Sequence, residues 1–163
     1  MKKLILLLLI TNLSFSQQWS KKEIKDLISI EFPTTPEEYP GVEKVSFYSE
    51  QKENTYKLTI RETERFELLK NPTKHKLHQL YKDYTAGSVA GGNGKIIQTQ
   101  NIKIHGYEAN ETIYTTSKTI NYRRIFLLKN KLVIYEFIAR RGKDKTRNEK
   151  LKNTFFNSLK VII

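Results

Sequence analysis

Residues 87–95 are rich in glycine and end in a Gly-Lys pair, a composition found in loops that bind phosphate through backbone N–H groups. Such a loop requires glycine five residues before the pair and serine or threonine after it, but Val89 and Ile96 hold those positions. The segment also follows a predicted helix and precedes a predicted strand, which is the reverse of the phosphate-loop order. We therefore predict a flexible connection in which glycine adopts positive φ angles easily, and a role as a lid or contact loop stays open.

The three histidines are the best candidates for binding a transition metal, since the chain has no cysteine. His75 and His78 lie three positions apart on a predicted helix, whereas His105 is distant in sequence. A zinc site needs three or four protein ligands, so two neighbouring histidines are not enough. We predict no metal site and no cofactor. The lack of cysteine also excludes thiol nucleophiles and iron–sulfur clusters.

Acidic residues are the remaining candidates for catalysis, and none stands in a recognisable catalytic pattern. Glu108 and Glu111 lie in a polar strand at an odd spacing, which places them on opposite faces, where we expect them to be solvated. Arg124 and Glu136 lie in neighbouring apolar strands, and if both are buried we expect them to form a structural ion pair. No Gly-x-Ser-x-Gly nucleophile motif is present. We assign no catalytic residue.

The strongest concentration of charge is residues 140–152, which hold seven basic and two acidic residues. This segment runs from the end of a predicted hairpin into the first half of a predicted helix, and the dipole of a helix N-terminus favours an anion there. The predicted anion- or partner-binding residues are Arg140, Arg141, Lys143, Lys145 and Arg147. A solvated surface without a ligand is the alternative interpretation.

The first 16 residues have the layout of a secretory signal peptide. The chain starts with a basic Met-Lys-Lys, continues with apolar residues 4–10, and reaches a small-x-small cleavage site that ends at Ser16. The apolar run is shorter than the ~20 residues that span a bilayer. We predict cleavage after Ser16, a periplasmic or secreted location, and a single domain over residues 17–163. We expect a monomer with no integral membrane segment after cleavage.

The net charge of +12 favours anionic partners. An acidic protein or an anionic component of the cell envelope fits this charge. We predict no nucleic-acid partner, because the chain is expected to be exported and its sequence has no recognised aromatic stacking motif.

Alternating apolar residues predict strands in the first half of the chain. Residues 28–32 alternate, and residues 45–47 and 56–60 alternate on either side of a polar turn, which predicts a hairpin. The period then changes to that of a helix, which we expect to start at Asn71-Pro72 and to end at Gly87.

Capping patterns predict where two other helical segments begin. Ser20 with Glu23 indicates one short helical turn, and Thr146 with Glu149 indicates the start of the last helix. Residues 161–163 are apolar and predict a short edge strand at the end of the chain.

Residues 120–128 and 132–139 are the strongest predicted strands, and a tight turn joins them. Both are apolar on both faces, so each strand must be covered from above and below. We therefore expect them in the middle of the sheet. Short connections favour antiparallel pairing. The predicted fold class is α+β, with a mostly antiparallel sheet sandwiched between helices.

Three short motifs occur together in this sequence. An early strand ends in Phe32-Pro33-Thr34-Thr35-Pro36, the pair Gly106-Tyr107 opens a strand after the mid-chain helix, and a late hairpin containing Tyr135 precedes Phe156-Asn157-Ser158-Leu159. Together they resemble the fold shared by the PsbP and Mog1 families. The resemblance implies an antiparallel sheet between helical layers. It also implies a binding role, because PsbP-like proteins are subunits or assembly factors of photosynthetic complexes and Mog1-like proteins bind a small GTPase.

The sequence thus predicts an exported, non-catalytic binding or assembly module with a basic surface. The alternative is a hydrolase acting on a polar, anionic substrate of the envelope or extracellular space, with catalytic groups that converge only in the fold. A deep pocket with convergent carboxylates or histidines would favour the enzyme.

Overall fold

The computed structural model describes residues 19–62 and 72–162. The predicted signal peptide and the predicted helix start at Asn71 lie outside these residues. Within them the chain forms ten strands and two helices. The strands are β1 (Ser20–Ile24), β2 (Ile28–Phe32), β3 (Glu37–Gly41), β4 (Lys44–Gln51), β5 (Asn54–Glu62), β6 (Lys95–Ile104), β7 (Tyr107–Thr115), β8 (Thr119–Leu128), β9 (Lys131–Arg140) and β10 (Lys160–Val161), and the helices are α1 (Lys74–Gly91) and α2 (Lys145–Ser158).

Seven strands form the main sheet, in the order β3-β4-β5-β9-β8-β7-β6, and every neighbouring pair is antiparallel. A smaller sheet has the order β1-β2-β10. The predicted hairpins β4–β5 and β8–β9 are both present. Strand β9 occupies the centre of the main sheet, as its apolar pattern predicts.

The two faces of β9 pack against different elements, because successive side chains of a strand point to opposite sides. Leu132 and Ile134 join a buried cluster with Tyr81 of α1. Val133 and Tyr135 join the larger cluster, which includes Phe155, Phe156 and the apolar residues of β2. The main sheet is covered by less helix than predicted, because each of its faces carries a single helix and α2 shares its face with the smaller sheet.

Aromatic rings hold α2 against the main sheet. The ring of Phe155 is fully buried, and its centroid lies 5.3 Å from that of Tyr56 and 5.4 Å from that of Phe32. The ring of Phe156 lies 5.1 Å from that of Tyr135 in an edge-to-face arrangement. Such pairs add about 0.5–1.5 kcal/mol to the free energy that burial alone provides. These contacts fix the position of α2, whose first turn holds two of the predicted basic residues, Lys145 and Arg147.

Helix α1 runs four residues past the predicted end at Gly87. The prediction of Pro72 as its first helical residue was wrong: the N-cap is Thr73, whose hydroxyl accepts a hydrogen bond from the Lys76 N–H. The helix ends at Gly91. The buried stripe of the helix continues to Val89, so packing outweighs the roughly 1 kcal/mol that an interior glycine costs. The predicted flexible connection over residues 87–95 was therefore too long, and only residues 92–94 separate α1 from β6.

Gly94 is required in that short connection. A β-carbon there would lie 2.7 Å from Cγ1 of Val89, closer than real contacts allow. This glycine serves tight packing of the helix end and not phosphate binding.

Two predicted capping boxes were wrong. Ser20 and Glu23 belong to strand β1, which pairs with β2 along its full length. Helix α2 is capped by Asp144, two residues before Thr146, and the Asp144 carboxylate accepts a hydrogen bond from the Arg147 N–H at 3.0 Å. The predicted edge strand at the end of the chain is β10, which starts at Lys160. Among the described helices, none is long and apolar enough to cross a membrane.

Candidate functional site

The predicted basic residues lie at one end of the main sheet, where three connections meet. These are the β4–β5 turn, the β7–β8 turn and the segment between β9 and α2. Backbone hydrogen bonds join them: the Arg140 N–H donates to the Glu53 carbonyl at 3.1 Å, and the Arg141 N–H donates to the Lys118 carbonyl at 2.9 Å. We call this surface the basic end. Its basic residues are Lys52, Lys118, Arg140, Arg141, Lys143, Lys145 and Arg147.

Two clefts open at the basic end. The larger, of about 560 Å³, lies between the β4–β5 and β7–β8 turns and is lined by Lys52, Lys118, Arg140 and Arg141 together with Glu50 and Glu53. The smaller, of about 230 Å³, is lined by Lys52, Glu53, Asn54, Lys143, Asp144, Arg147 and Asn148. Both are shallow surface features between loops, so they suit an extended partner better than a fully enclosed small molecule.

The basic end carries charge that its own carboxylates do not neutralise. Lys143 is paired with Glu53 at 2.7 Å. In the described part of the chain, no carboxylate lies within salt-bridge distance of Arg140, Lys145 or Arg147, and all three side chains are exposed. The guanidinium and ammonium groups are therefore available to an anion.

The N-terminus of α2 is not a vacant anion site. The Asp144 carboxylate already accepts the Arg147 N–H there and supplies the negative charge that the helix dipole favours. An anion at the basic end would therefore bind to side-chain charges and not to the helix terminus.

Sequence reasoning missed Lys52 and Lys118, which lie in the connections between strands, and Asn54, the first residue of β5. All three are far in sequence from residues 140–152. Asn54 lines both clefts, and its Oδ1 atom is buried without a hydrogen-bond partner. Lys52 occupies a turn position with a φ of 55°. The β4–β5 hairpin was predictable, but its position beside Arg140 depends on the order of strands in the sheet.

The ion pair predicted between Arg124 and Glu136 is wrong. Glu136 lies opposite Arg123 in the β8–β9 register, and the Arg123 Nε–H donates to Glu136 Oε1 at 2.8 Å. The Tyr114 hydroxyl donates to the same oxygen at 2.8 Å, and Lys57 lies 3.6 Å from the other. Glu136 and Arg123 are 3% and 5% exposed. The Glu136 carboxylate is closed to solvent and both of its oxygens have partners, which favours a structural role.

Arg124 faces the other side of the sheet and pairs with Glu111 at 2.6 Å. Its guanidinium lies 4.5 Å from the ring centroid of Phe156. Glu108 points to the α1 side, where His78 approaches it at 3.2 Å. The two glutamates lie on opposite faces, as their spacing predicts, but both are partly buried and ion-paired and not solvated.

The histidines do not converge. His78 contacts Glu108, His105 contacts the Leu159 carbonyl at 2.8 Å, and His75 is exposed. Over residues 19–62 and 72–162, no group of three His, Cys, Asp or Glu side chains is arranged to hold a metal ion.

The buried network gives stability a pH dependence with a defined sign. Burial alone would raise the pKa of Glu136, but Arg123, Lys57 and two hydrogen bonds hold the pKa below its ordinary value of 4.5. Because the pKa is lower in the folded chain, the ionised group stabilises the fold above about pH 4.5, and this contribution is lost as the pH falls through the folded value.

We expect the free energy of unfolding to fall more steeply below about pH 4.5 in the parent chain than in a Glu136→Gln variant, which lacks this titration. Urea unfolding curves, recorded from about neutral pH to about pH 3, measure the difference between the two proteins. If the free energy of unfolding falls equally with pH in both proteins, the titration of Glu136 is not the cause of the loss.

Known structures share this fold. The solution structure of cyanobacterial PsbP (CyanoP) from Synechocystis sp. PCC 6803 is similar, with a TM-score of 0.60 and 13% sequence identity over 89% of this chain and 93% of that chain. The crystal structure of the Saccharomyces cerevisiae Ran-binding protein Mog1p has a TM-score of 0.56 and 7% identity over 90% of this chain and 97% of that chain. A Mog1 point mutant gives the same TM-score, 0.56.

The chain therefore has the PsbP/Mog1-like fold that its motifs predict. No protein-family profile matches the sequence, and no curated protein matches it either. At identities of 7–13% the similarity establishes the fold alone.

Proposed function

We propose that this chain is an exported, non-catalytic binding or assembly module that engages an anionic partner through the basic end. The uncompensated charge of Arg140, Lys145 and Arg147 beside two open clefts carries this proposal. The proposed leader, residues 1–16, would deliver the domain to the periplasm or the extracellular space. There its partners would be an acidic protein or an anionic envelope component.

The fold supports a binding role. One structural neighbour is described as a Ran-binding protein, so this fold serves protein recognition in that case. In this chain the buried charges of Arg123 and Glu136 bond to each other, whereas Arg140, Lys145 and Arg147 are exposed without a carboxylate partner in the described residues. Positive surface charge also speeds association with an anionic partner, at a rate that falls with ionic strength.

The hydrolase alternative receives less support from the geometry. Glu136, Arg123 and Tyr114 all have shifted pKa values, and they form one buried network with internal partners. Burial, followed by the charge of Glu136, raises the pKa of Tyr114. A catalytic carboxylate would have to face a substrate cleft, whereas Glu136 faces other side chains.

Charge reversal at the basic end tests the proposal. We expect an Arg140→Glu/Arg147→Glu variant to bind poly-L-glutamate, a model acidic partner, at least about tenfold more weakly than the parent chain, a loss of about 1.4 kcal/mol. Isothermal titration calorimetry measures the affinity. The affinity of the parent should fall as salt rises from about 0.01 M to about 1 M, because the Debye length shrinks from about 30 Å to about 3 Å.

A matched control separates the site from net charge. Lys76→Glu/Lys82→Glu on the exposed side of α1 changes the net charge equally, and neither lysine side chain has an ion-pair partner in the described residues. We expect this variant to bind within about twofold of the parent. Equal weakening in both variants, or no binding by the parent at low salt, would contradict a dedicated site at the basic end.

A further inference from the structure

A third cleft, larger than the two at the basic end, lies beside the outer strands β3 and β4. Its volume is about 630 Å³, within the range of roughly 300–1,000 Å³ that is typical of small-molecule sites. We call it the tyrosine cleft, after the two aromatic side chains that line it, Tyr39 and Tyr48. The motif at residues 32–36 supplies Thr34 and Thr35 to its lining, but that motif predicts the fold and not a ligand. The proposed function does not use this cleft.

The Tyr39 ring is exposed and yet held in place. It is 51% exposed, although large aromatic side chains are usually well covered. The Tyr48 ring packs against it at right angles, with an interplanar angle of 88° and centroids 5.2 Å apart. The Tyr39 hydroxyl donates a hydrogen bond to the Glu37 carboxylate. A ring held by a neighbouring ring and through its hydroxyl loses little conformational entropy when a ligand packs on it.

The Tyr48 ring contacts the buried network of the sheet through Lys57. Tyr48 lies directly opposite Lys57 in the β4–β5 register, and Lys57 lies opposite Glu136 in the β5–β9 register. The Lys57 ammonium is 5.2 Å from the Tyr48 ring centroid and 3.6 Å from a Glu136 oxygen. The rigid centre of the sheet therefore positions the wall of the tyrosine cleft.

The polar groups of the tyrosine cleft are mixed, and two of its charged side chains have no partner among the described residues. Glu50 and Lys44 line it, and neither side chain has an ion-pair or hydrogen-bond partner within residues 19–62 and 72–162. Hydroxyl groups lie beside them, including the Thr34–Ser49 pair at 2.7 Å. The cleft thus presents donors and acceptors at short intervals beside an exposed aromatic ring.

The balance of charge in the cleft differs from that of the whole chain. The lining holds the carboxylates of Glu37 and Glu50 and the ammonium of Lys44, a local charge of −1 in a protein of net charge +12. Such a nearly neutral lining has little net attraction for a strongly charged ligand. An aliphatic ligand would leave these polar groups buried without partners, which is costly.

We propose that the tyrosine cleft binds a saccharide, with one sugar ring stacked on Tyr39 and its hydroxyl groups hydrogen-bonded to Glu50, Lys44 and neighbouring hydroxyls. A sugar combines an apolar C–H face with a rim of hydroxyl groups that donate and accept, which matches this lining. The cleft is open at the surface, so the ligand is a unit of a longer glycan chain.

This inference is independent of the proposed function, although Glu50 lines both the tyrosine cleft and the larger cleft of the basic end. Binding of a neutral sugar is expected to change little with salt, whereas binding at the basic end weakens as salt rises. The Arg140→Glu/Arg147→Glu variant should keep its saccharide affinity. If one site does not bind its ligand, binding at the other site can therefore still be measured.

NMR titration of the ¹⁵N-labelled chain with neutral β-1,4-linked tetrasaccharides of glucose and of N-acetylglucosamine tests the cleft. We expect chemical-shift changes centred on Tyr39, Tyr48 and Glu50. Tyr39→Ala should weaken binding at least about tenfold, whereas Tyr39→Phe, which keeps the ring, should stay within about threefold of the parent.

The matched control is Tyr107→Ala, since Tyr107 is also a partly exposed tyrosine, at 38%, but lies on β7 away from the cleft. We expect this variant to bind like the parent. The NMR spectrum of each variant shows whether it is folded, so that a loss of binding is not confused with a loss of structure. The inference is overturned if neither tetrasaccharide shifts the cleft resonances, or if folded Tyr39→Ala binds as tightly as the parent.

Discussion

Replacing Glu136 with alanine is expected to lower the free energy of unfolding by about 3–5 kcal/mol, the usual cost of removing one partner from a buried ion pair. The Arg123 guanidinium would stay in a site where it is only 5% exposed, without its carboxylate. Its Nη1 atom already lacks a hydrogen-bond partner, so little is available to compensate the charge. Tyr114 would lose the acceptor of its hydroxyl as well.

Urea unfolding at neutral pH measures this loss, and a surface glutamate supplies the control. Glu62→Ala removes the partner of Lys131, but the Glu62 side chain is 63% exposed, so we expect a change within about 0.5 kcal/mol. The double variant Arg123→Met/Glu136→Leu should recover most of the stability, because it leaves no unpaired charge in the buried site, and the Lys57 side chain, which is 27% exposed, still reaches water. If Glu136→Ala lowers the free energy of unfolding as little as Glu62→Ala does, the prediction is wrong. Water or a rearranged side chain would then compensate the charge of Arg123.

The error over this ion pair shows what sequence patterns leave undetermined. Residues 120–128 and 132–139 are apolar on both faces, which correctly placed β9 in the middle of the sheet. The same pattern does not determine which residue of β8 lies opposite Glu136. Shifting the register by one residue moves a side chain to the other face, so Arg123 and Arg124 were equally plausible partners until the register was known.

The ends of the helices were harder to predict than their existence. Gly87 looked like a helix terminus, but the buried positions of α1 continue to Val89, and packing against the sheet extends the helix. Thr146 and Glu149 match a capping box, but the Asp144 carboxylate accepts the hydrogen bond from the Arg147 N–H and caps the helix instead. In both cases a tertiary or local contact decided between alternatives that the sequence allows.

The two proposed binding sites differ in how visible they are in the sequence. Most of the basic end is contiguous, from Arg140 to Arg147, so its charge is evident before folding. The tyrosine cleft is built by pairing β3 with β4, where Tyr39 lies opposite Ser46 and diagonally beside Tyr48. Strand β3 has five exposed residues and contains Pro40, so no apolar alternation reveals it.

The basic end also depends on how α2 is attached, and one ring contributes most to that attachment. Lys145 and Arg147 lie in the first turn of α2. Phe155 and Phe156 are the buried residues of this helix. The Phe155 ring contacts rings from β2, β5 and β9, so it joins the helix to both sheets.

Phe155→Ala is accordingly expected to cost about 3–5 kcal/mol, because it removes a fully buried ring and leaves a cavity that the strands cannot close. Urea unfolding measures the loss. Asn153→Ala, at an exposed position of the same helix, should change stability by no more than about 0.5 kcal/mol. In the folded fraction, α2 should be held less firmly, so amide hydrogen exchange should speed up in α2 more than in β8. Exchange that rises equally in both elements would mean that α2 is not a separately anchored unit, and that the basic end is as rigid as the sheet beneath it.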